Sequence, residues 1–265
     1  MTGGILTGLE IWEVSVIPFL MNNSDTWINI SATTLDKLDS LQNLFYRVLL
    51  SVPVGCPIPI MYWDCAGLTM KHRIVQKKLL LLHHIANLDN NSLAKKIFDV
   101  QTKLSFPGLV EECQEYLVMF GAGLLTNYTK QQWKIFVIKN ILKLNRETLL
   151  EKMKSSYKKL DHKIFEQERF ELKTYLKDLQ MDEARDYFRI RSFMTKSIKM
   201  NFASDPSYKK YSWKCDHCIN IDTQSHVRYC DAYEHLRVGK DLDNDKDLVR
   251  YYRQVIDMRE SEEND

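Results

Sequence analysis

The chain of 265 residues is 45 % hydrophobic and 27 % charged with a formal net charge of +2, the balance of a globular protein rather than of a disordered or collagen-like chain. Three of its six cysteines, Cys56, Cys65 and Cys113, are scattered without a pairing pattern, which argues against a secreted disulfide framework. The first 36 residues lack Lys and Arg, so the apolar stretch from Ile5 to Met21, interrupted by Glu10 and Glu13, has no signal-peptide flank.

These features place the protein inside the cell, nuclear or cytoplasmic, and not secreted. The N-x-S/T triplets at Asn22, Asn29, Asn90 and Asn127 are then coincidental. The apolar run Leu79 to Leu82 falls far short of the roughly 20 residues that span a bilayer, so no membrane association is expected.

Read in chain order, the sequence predicts an all-α fold. Leu9 to Leu20 is ambiguous: Val14, Val16 and Pro18 alternate as in a strand, while Leu9, Trp12, Val16 and Leu20 recur at helical steps. Leu38, Leu41, Phe45, Val48 and Leu49 form the apolar stripe of a helix that Ser31, Thr33 or Thr34 caps and that ends before Pro53, Pro57 and Pro59. A second helix is predicted from Met70 to Leu88 with Thr69 as N-cap, and Asn90-Asn91-Ser92 mark the turn to a third. Pro107-Gly108 precede a helix through Glu111 and Met119, stopped by Gly121 and Gly123.

Thr129 caps a long basic helix with the stripe Trp133, Phe136, Val137, Ile141 and Leu144; Asn145 and Thr148 predict a break and restart. Helical pattern continues through Phe165, Leu172 and Leu179, and Asp182 opens a further helix through Ile190 and Met194. Residues 201–212, centred on Asp205-Pro206-Ser207, read as a linker. The expected organisation is a helical domain over 1–200, the linker, a metal module over 213–240, and a short C-terminal helix with an acidic tail over 241–265, frayed from Arg259 onward.

The module rests on Cys215, Cys218, His226 and Cys230, spaced C-x2-C-x7-H-x3-C. A Cys-x2-Cys turn aims two thiolates at one point, and a His and a Cys four apart share a helix face, so the four complete a tetrahedron. The expected cofactor is one structural zinc ion per chain, because three Cys and one His leave no open coordination position. So small a segment cannot fold on a hydrophobic core alone, and structural zinc supplies roughly 10 to 16 kcal/mol of apparent binding free energy. Asp222 or Thr223 would cap a helix carrying His226, Cys230, Tyr233 and Arg237 on one stripe, ended by Gly239; His217 and His235 are poorer ligands.

Charge is unevenly spread. Residues 1–70 carry two basic and six acidic side chains, 130–200 eighteen and ten, and 231–265 six and eleven. The basic block fits either a nucleic-acid surface or solvated helices with Lys on their outer faces. Phosphate contacts would come from Lys158, Lys159, Lys163, Arg169, Arg185, Arg189, Arg191, Lys196 and Lys199, joined by Lys214 and Arg228 of the module. Tyr157, Phe165, Tyr187, Phe188 and Phe193 interleave with them, as stacking platforms or as the core face of the same helices.

The pattern Trp213-x-Cys215-x2-Cys218, then Asp222-Thr223-Gln224-x-His226-x3-Cys230-x2-Tyr233-x2-Leu236-Arg237, resembles the C-terminal portion of a non-LTR (LINE-type) retrotransposon reverse transcriptase. The resemblance extends upstream through Val16-Ile17-Pro18, Trp27, Leu41-Gln42, Val52-Pro53 to Pro57, Ala66-Gly67-Leu68, Lys71, Arg73-Ile74 and Pro107-Gly108-Leu109. It implies a helical thumb that grips a primer-template duplex, followed by a zinc knuckle that contacts nucleic acid, with RNA, DNA or an RNA-DNA hybrid as partner. The spacing around His226 departs from the shorter retroviral-type knuckle.

The two-metal chemistry of a polymerase palm needs adjacent carboxylates, and no Asp-Asp pair occurs in the sequence; the chain is therefore expected to bind and not to catalyse. The rival expectation is a zinc-stabilised protein-interaction module or an inert element remnant. Asp241-x-Asp243-x-Asp245 lacks the Gly and Glu of a calcium loop, and Gly121-x-Gly123 lacks the third glycine of a dinucleotide fingerprint. No small-molecule substrate is expected. For His83-His84 the pattern predicts one buried and one exposed ring, and for Trp63-Asp64-Cys65 a packing role.

Overall fold

The computed structural model describes residues 4–104, 106–155, 162–195, 198 and 214–262, with backbone alone for 162–164. The fold is all-α: among the described residues the regular elements are helices, with an isolated antiparallel bridge between Lys214 and Ile221. None of these helices is long and apolar enough to cross a membrane.

The ambiguous N-terminal stretch is helical. Helix α1 (Gly4–Ile11) widens into a π turn over Trp12–Val16 before α2 (Ile17–Leu20). The Ile17 N–H reaches back five residues to the Trp12 carbonyl. Pro18 is the cause, since it has no N–H and its ring would strike the carbonyl four residues back. The turn buries Trp12, which stacks on Phe45 at 4.2 Å.

Helix α3 (Ala32–Leu50) starts where Ser31 Oγ accepts the Thr34 N–H. Its buried face differs from the expected stripe: Leu41 and Val48 are exposed, and Gln42, Tyr46 and Leu50 are buried. The buried Nε2 of Gln42 donates to the Leu68 carbonyl at 2.9 Å and to Tyr46 Oη at 3.0 Å. Tyr46 in turn presses on Gly67, where an added Cβ would lie 2.2 Å from the phenol oxygen.

Helix α4 (Ile58–Asp64) is buried from Pro59 through Asp64. Helix α5 (Met70–Ala86) opens as predicted, with Thr69 Oγ1 accepting the His72 N–H. Helices α6 (Leu93–Leu104) and α7 (Leu109–Met119) lie against α5. Helix α8 (Lys130–Lys154) begins with a reciprocal capping box between Thr129 and Gln132.

No break occurs at Asn145; α8 continues to Lys154. Fully buried Asn145 donates to the Gly67 carbonyl at 3.1 Å and accepts the Thr69 N–H at 3.2 Å. A residue that locally favours a turn is held in the helix by distant backbone groups. The same node takes in His72, whose Nδ1 lies 2.8 Å from Asn145 Oδ1.

After α8 the chain is more broken than its periodicity predicts: α9 (His162–Gln167), α10 (Tyr175–Asp178) and α11 (Met181–Arg191) are separated by irregular backbone. Asp64, fully buried, organises this region. It accepts from Arg191 Nε at 2.9 Å and from Tyr175 Oη at 2.7 Å. Arg191 also reaches Glu168 at 2.5 Å, while Lys173 bonds Glu168 at 2.7 Å. The Trp63-Asp64-Cys65 segment thus anchors α11 to α4 by a charge-assisted network.

The C-terminal unit consists of α12 (Gln224–Tyr229), α13 (Glu234–Arg237) and α14 (Asp245–Glu262). The expected short helix and frayed tail are instead eighteen helical residues, with Arg259 buried near their end. Helix α14 packs on α11, and Arg253 bonds Asp186 across the contact at 2.7 Å. Gln224 donates to the Ile190 carbonyl and Thr195 Oγ1 bonds Gln224 at 3.1 Å. The expected linker over 201–212 lies outside the described residues, but the unit is docked on α11 and shares a core with Ile190 and Ile198.

Candidate metal centre and basic surfaces

Local chemistry assembles the cluster from two pieces. The Cys215 N–H donates to the Asn220 carbonyl at 2.9 Å, which closes the Cys-x2-Cys segment into a tight turn flanked by the Lys214–Ile221 bridge. Thr223, one of the two predicted caps, accepts the His226 N–H at 3.0 Å and starts α12.

The predicted continuous stripe from His226 to Arg237 is interrupted. Cys230 is extended, with φ −64° and ψ 130°, and ends α12. The carbonyls this leaves are taken by Arg237, which donates to Cys230 O at 2.7 Å and Arg228 O at 3.4 Å. Gly239, at φ 74°, closes α13 in the left-handed region.

One ligand atom from each of Cys215, Cys218, His226 and Cys230 lies within 4.8 Å of the others, and Cys218 Sγ is 3.2 Å from His226 Nε2. Donors bound tetrahedrally at about 2.0 to 2.3 Å stand about 3.5 to 3.8 Å apart, so small side-chain adjustments let the four close around one ion. Cys215 and Cys230 are buried. Burial pushes the Cys215 thiol up to about 11. A backbone N–H from Asn220 holds the Cys218 thiol below its usual value.

The rival imidazoles point elsewhere. His217 meets the Tyr233 ring edge-on at 5.3 Å and lies 3.4 Å from Glu262, and His235 is outside the cluster. Tyr233, fully buried, accepts from Arg259 Nε at 2.7 Å. Arg259 also forks onto Asp222, so Asp222 anchors α14 instead of capping α12. Tyr252 Oη donates to the Gln224 carbonyl at 2.8 Å. These bonds fix α12, and with it His226, against α14.

The predicted phosphate contacts divide into groups. Lys158, Lys159, Lys196 and Lys199 lie outside the described residues, as does the side chain of Lys163. Arg191 is turned inward to Asp64 and Glu168 because burial of that carboxylate demands a counter-charge. Arg189 is held by Asp186 at 2.8 Å and by the Ser51 carbonyl, which also accounts for α11 packing on α3. Arg185 bonds the Leu49 carbonyl at 3.0 Å, and Arg228 bonds Asp243 and the Leu242 carbonyl. Arg169 and Lys214 are exposed.

Of the interleaved aromatics, Phe165 and Phe188 are buried and Tyr187 and Phe193 pack against the same core; Tyr157 lies outside the described residues. His83 is buried against Trp133 while His84 is exposed, as the pattern predicted.

Exposed positive charge is also found outside the predicted set, on α8. Helix α8 carries seven basic and two acidic residues, and Lys130, Lys134, Lys139 and Lys143 are exposed with no ion pair among the described residues. Its amphipathic pattern was legible, but which lysines stay unpaired is not a local property of sequence. Comparison with protein-family models, curated proteins and solved structures finds no match.

Proposed function

We propose that the protein is a non-catalytic nucleic-acid-binding module, in which a structural zinc ion fastens a knuckle to a helical body that grips RNA or an RNA-DNA duplex. The observation that carries this reading is α8: a long helix with seven basic residues, four of them solvent-facing lysines without carboxylate partners among the described residues. Unpaired lysines retain the charge that phosphate contacts use, and releasing condensed counterions drives such binding.

Zinc is the ion that best suits three thiolates and an imidazole in a compact, closed site. Four protein ligands would leave no position for substrate, and no Asp-Asp pair occurs in the sequence. The resemblance to the thumb and knuckle of LINE-type reverse transcriptases supports the same assignment.

A second reading, a zinc-stabilised protein-interaction module, draws on the inward-turned arginines of α11, which tie elements together and leave little charge there for phosphates. One titration separates the two. Fluorescence anisotropy with single-stranded RNA and an RNA-DNA hybrid should show affinity falling with salt at a log-log slope of roughly −0.7 to −0.9 per phosphate neutralised. The variant Lys139→Glu/Lys143→Glu should bind less tightly with a shallower slope. Binding indifferent to salt and to both substitutions overturns the nucleic-acid reading.

A further inference from the structure

Helix α6 buries none of its side chains completely. Leu93, Ile97, Val100 and Leu104 are respectively 73, 50, 48 and 63 % exposed. Their spacing of four, three and four residues is that of a coiled-coil seam, which aligns all four on one edge. Ala94, Phe98 and Gln101, on the adjoining face, line a groove with Ile28, Leu81 and Val110. The seam therefore continues into a mostly apolar trough, whose lining also takes in Asp25 and Thr26, a surface of the kind that marks an interaction site.

We propose that this face docks an amphipathic helix of another protein, with an apolar stripe and carboxylates seven residues apart along one edge. Charge selects this occupant. With Ile97 and Leu104 at the first core position of the heptad and Leu93 and Val100 at the second, Lys96 and Lys103 both take the flanking position that pairs between helices. Both are exposed, and neither has a carboxylate partner among the described residues. Lys95 is bonded to Asp99 at 3.1 Å and so is already neutralised.

Lys96 and Lys103 are seven residues apart, which places them about 10 Å apart along the axis. A second copy is a poor occupant: antiparallel α6 pairing sets Lys96 against Lys103 of the other copy, twice over. Parallel pairing sets Lys96 against Gln101, with no gain. An acidic helix turns both lysines into attractive contacts while its apolar stripe covers the seam and trough. This surface does not involve the metal cluster or α8, so the inference stands apart from the nucleic-acid reading.

The test uses the full chain and a labelled helical peptide of about three heptads, with Leu at the core positions and Glu at the flanking ones. Its control carries Lys in place of Glu. The Glu peptide should bind at least roughly tenfold more tightly than the Lys peptide, and Lys96→Glu/Lys103→Glu should reverse that preference. Ile97→Asp should abolish binding of both; each change is at the surface, and an unchanged circular-dichroism melt verifies the fold. Equal binding of the two peptides, no binding of the Glu peptide, or self-association in sedimentation that Ile97→Asp removes would each overturn the proposal.

Discussion

Arg259 donates through both terminal guanidinium nitrogens to the carboxylate of Asp222, at 2.8 and 2.9 Å, and both side chains are buried. The pair links the last turns of α14 to the residue just before the α12 cap, four positions from His226. A fork-to-fork contact of this kind restricts both groups in angle as well as distance. It sets the geometry that the metal cluster needs, from outside the cluster.

Replacing Arg259 by Met should therefore destabilise the C-terminal unit by about 3 to 5 kcal/mol, because Asp222 is left buried without its counter-charge. The double variant Asp222→Leu/Arg259→Met should recover most of that loss, since neither charge then remains to be desolvated. Chemical unfolding followed by a probe on α14 measures both. A double variant no more stable than Arg259→Met would show that the pair positions the unit through its hydrogen bonds and not through charge balance.

The substitution Cys218→Ser tests how far the cluster's influence extends. Loss of one thiolate should remove the metal from the sample and lower the helical signal by no more than the share belonging to α12, α13 and α14. The body has separate apolar clusters around Trp63, around Trp133 and around Trp12, none of which includes a metal ligand. Elemental analysis with circular dichroism on the same sample reads both quantities. Because α14 packs on α11, the melting temperature of the body should also fall by a few degrees, which an independent module on a free linker would not show.

What the sequence discloses depends on the range of the interactions involved. The helix starts at Thr69 and Thr129 were legible because an N-cap acts over three residues. The candidate metal cluster was legible because each half, Cys215 with Cys218 and His226 with Cys230, is a local pair. Asn145 does not break the helix as its local preference predicts, because its partners are Gly67 and Thr69, 78 and 76 residues away. Gln42 and Asp64 are buried polar residues for the same reason, their partners being supplied by other elements. Arg259 looked like part of a solvated tail, since nothing near it in sequence announces Asp222, 37 residues earlier.

The node at Asn145 also carries a pH dependence. Asn145 Oδ1 is an acceptor, so His72 holds its proton on Nδ1 and donates it there, with Thr69 Oγ1 3.0 Å from the same nitrogen. Burial pushes the imidazole below its ordinary value, and the bond to Asn145 opposes this only in part. The folded protein thus keeps His72 neutral under conditions where the unfolded chain, titrating near 6.5, takes up a proton. Where the unfolded state binds more protons, stability rises with pH. The contribution is therefore present above about pH 6.5 and is lost as pH falls toward the lowered folded value, at up to roughly 1.4 kcal/mol per pH unit. His72→Gln removes the titration while keeping a side chain able to donate to Asn145. Urea unfolding of metal-free wild type and variant at about pH 7 and about pH 5 should show the smaller pH-dependent loss in the variant. Equal losses would mean that His72 accepts its proton without leaving the fold, through a rearranged Asn145.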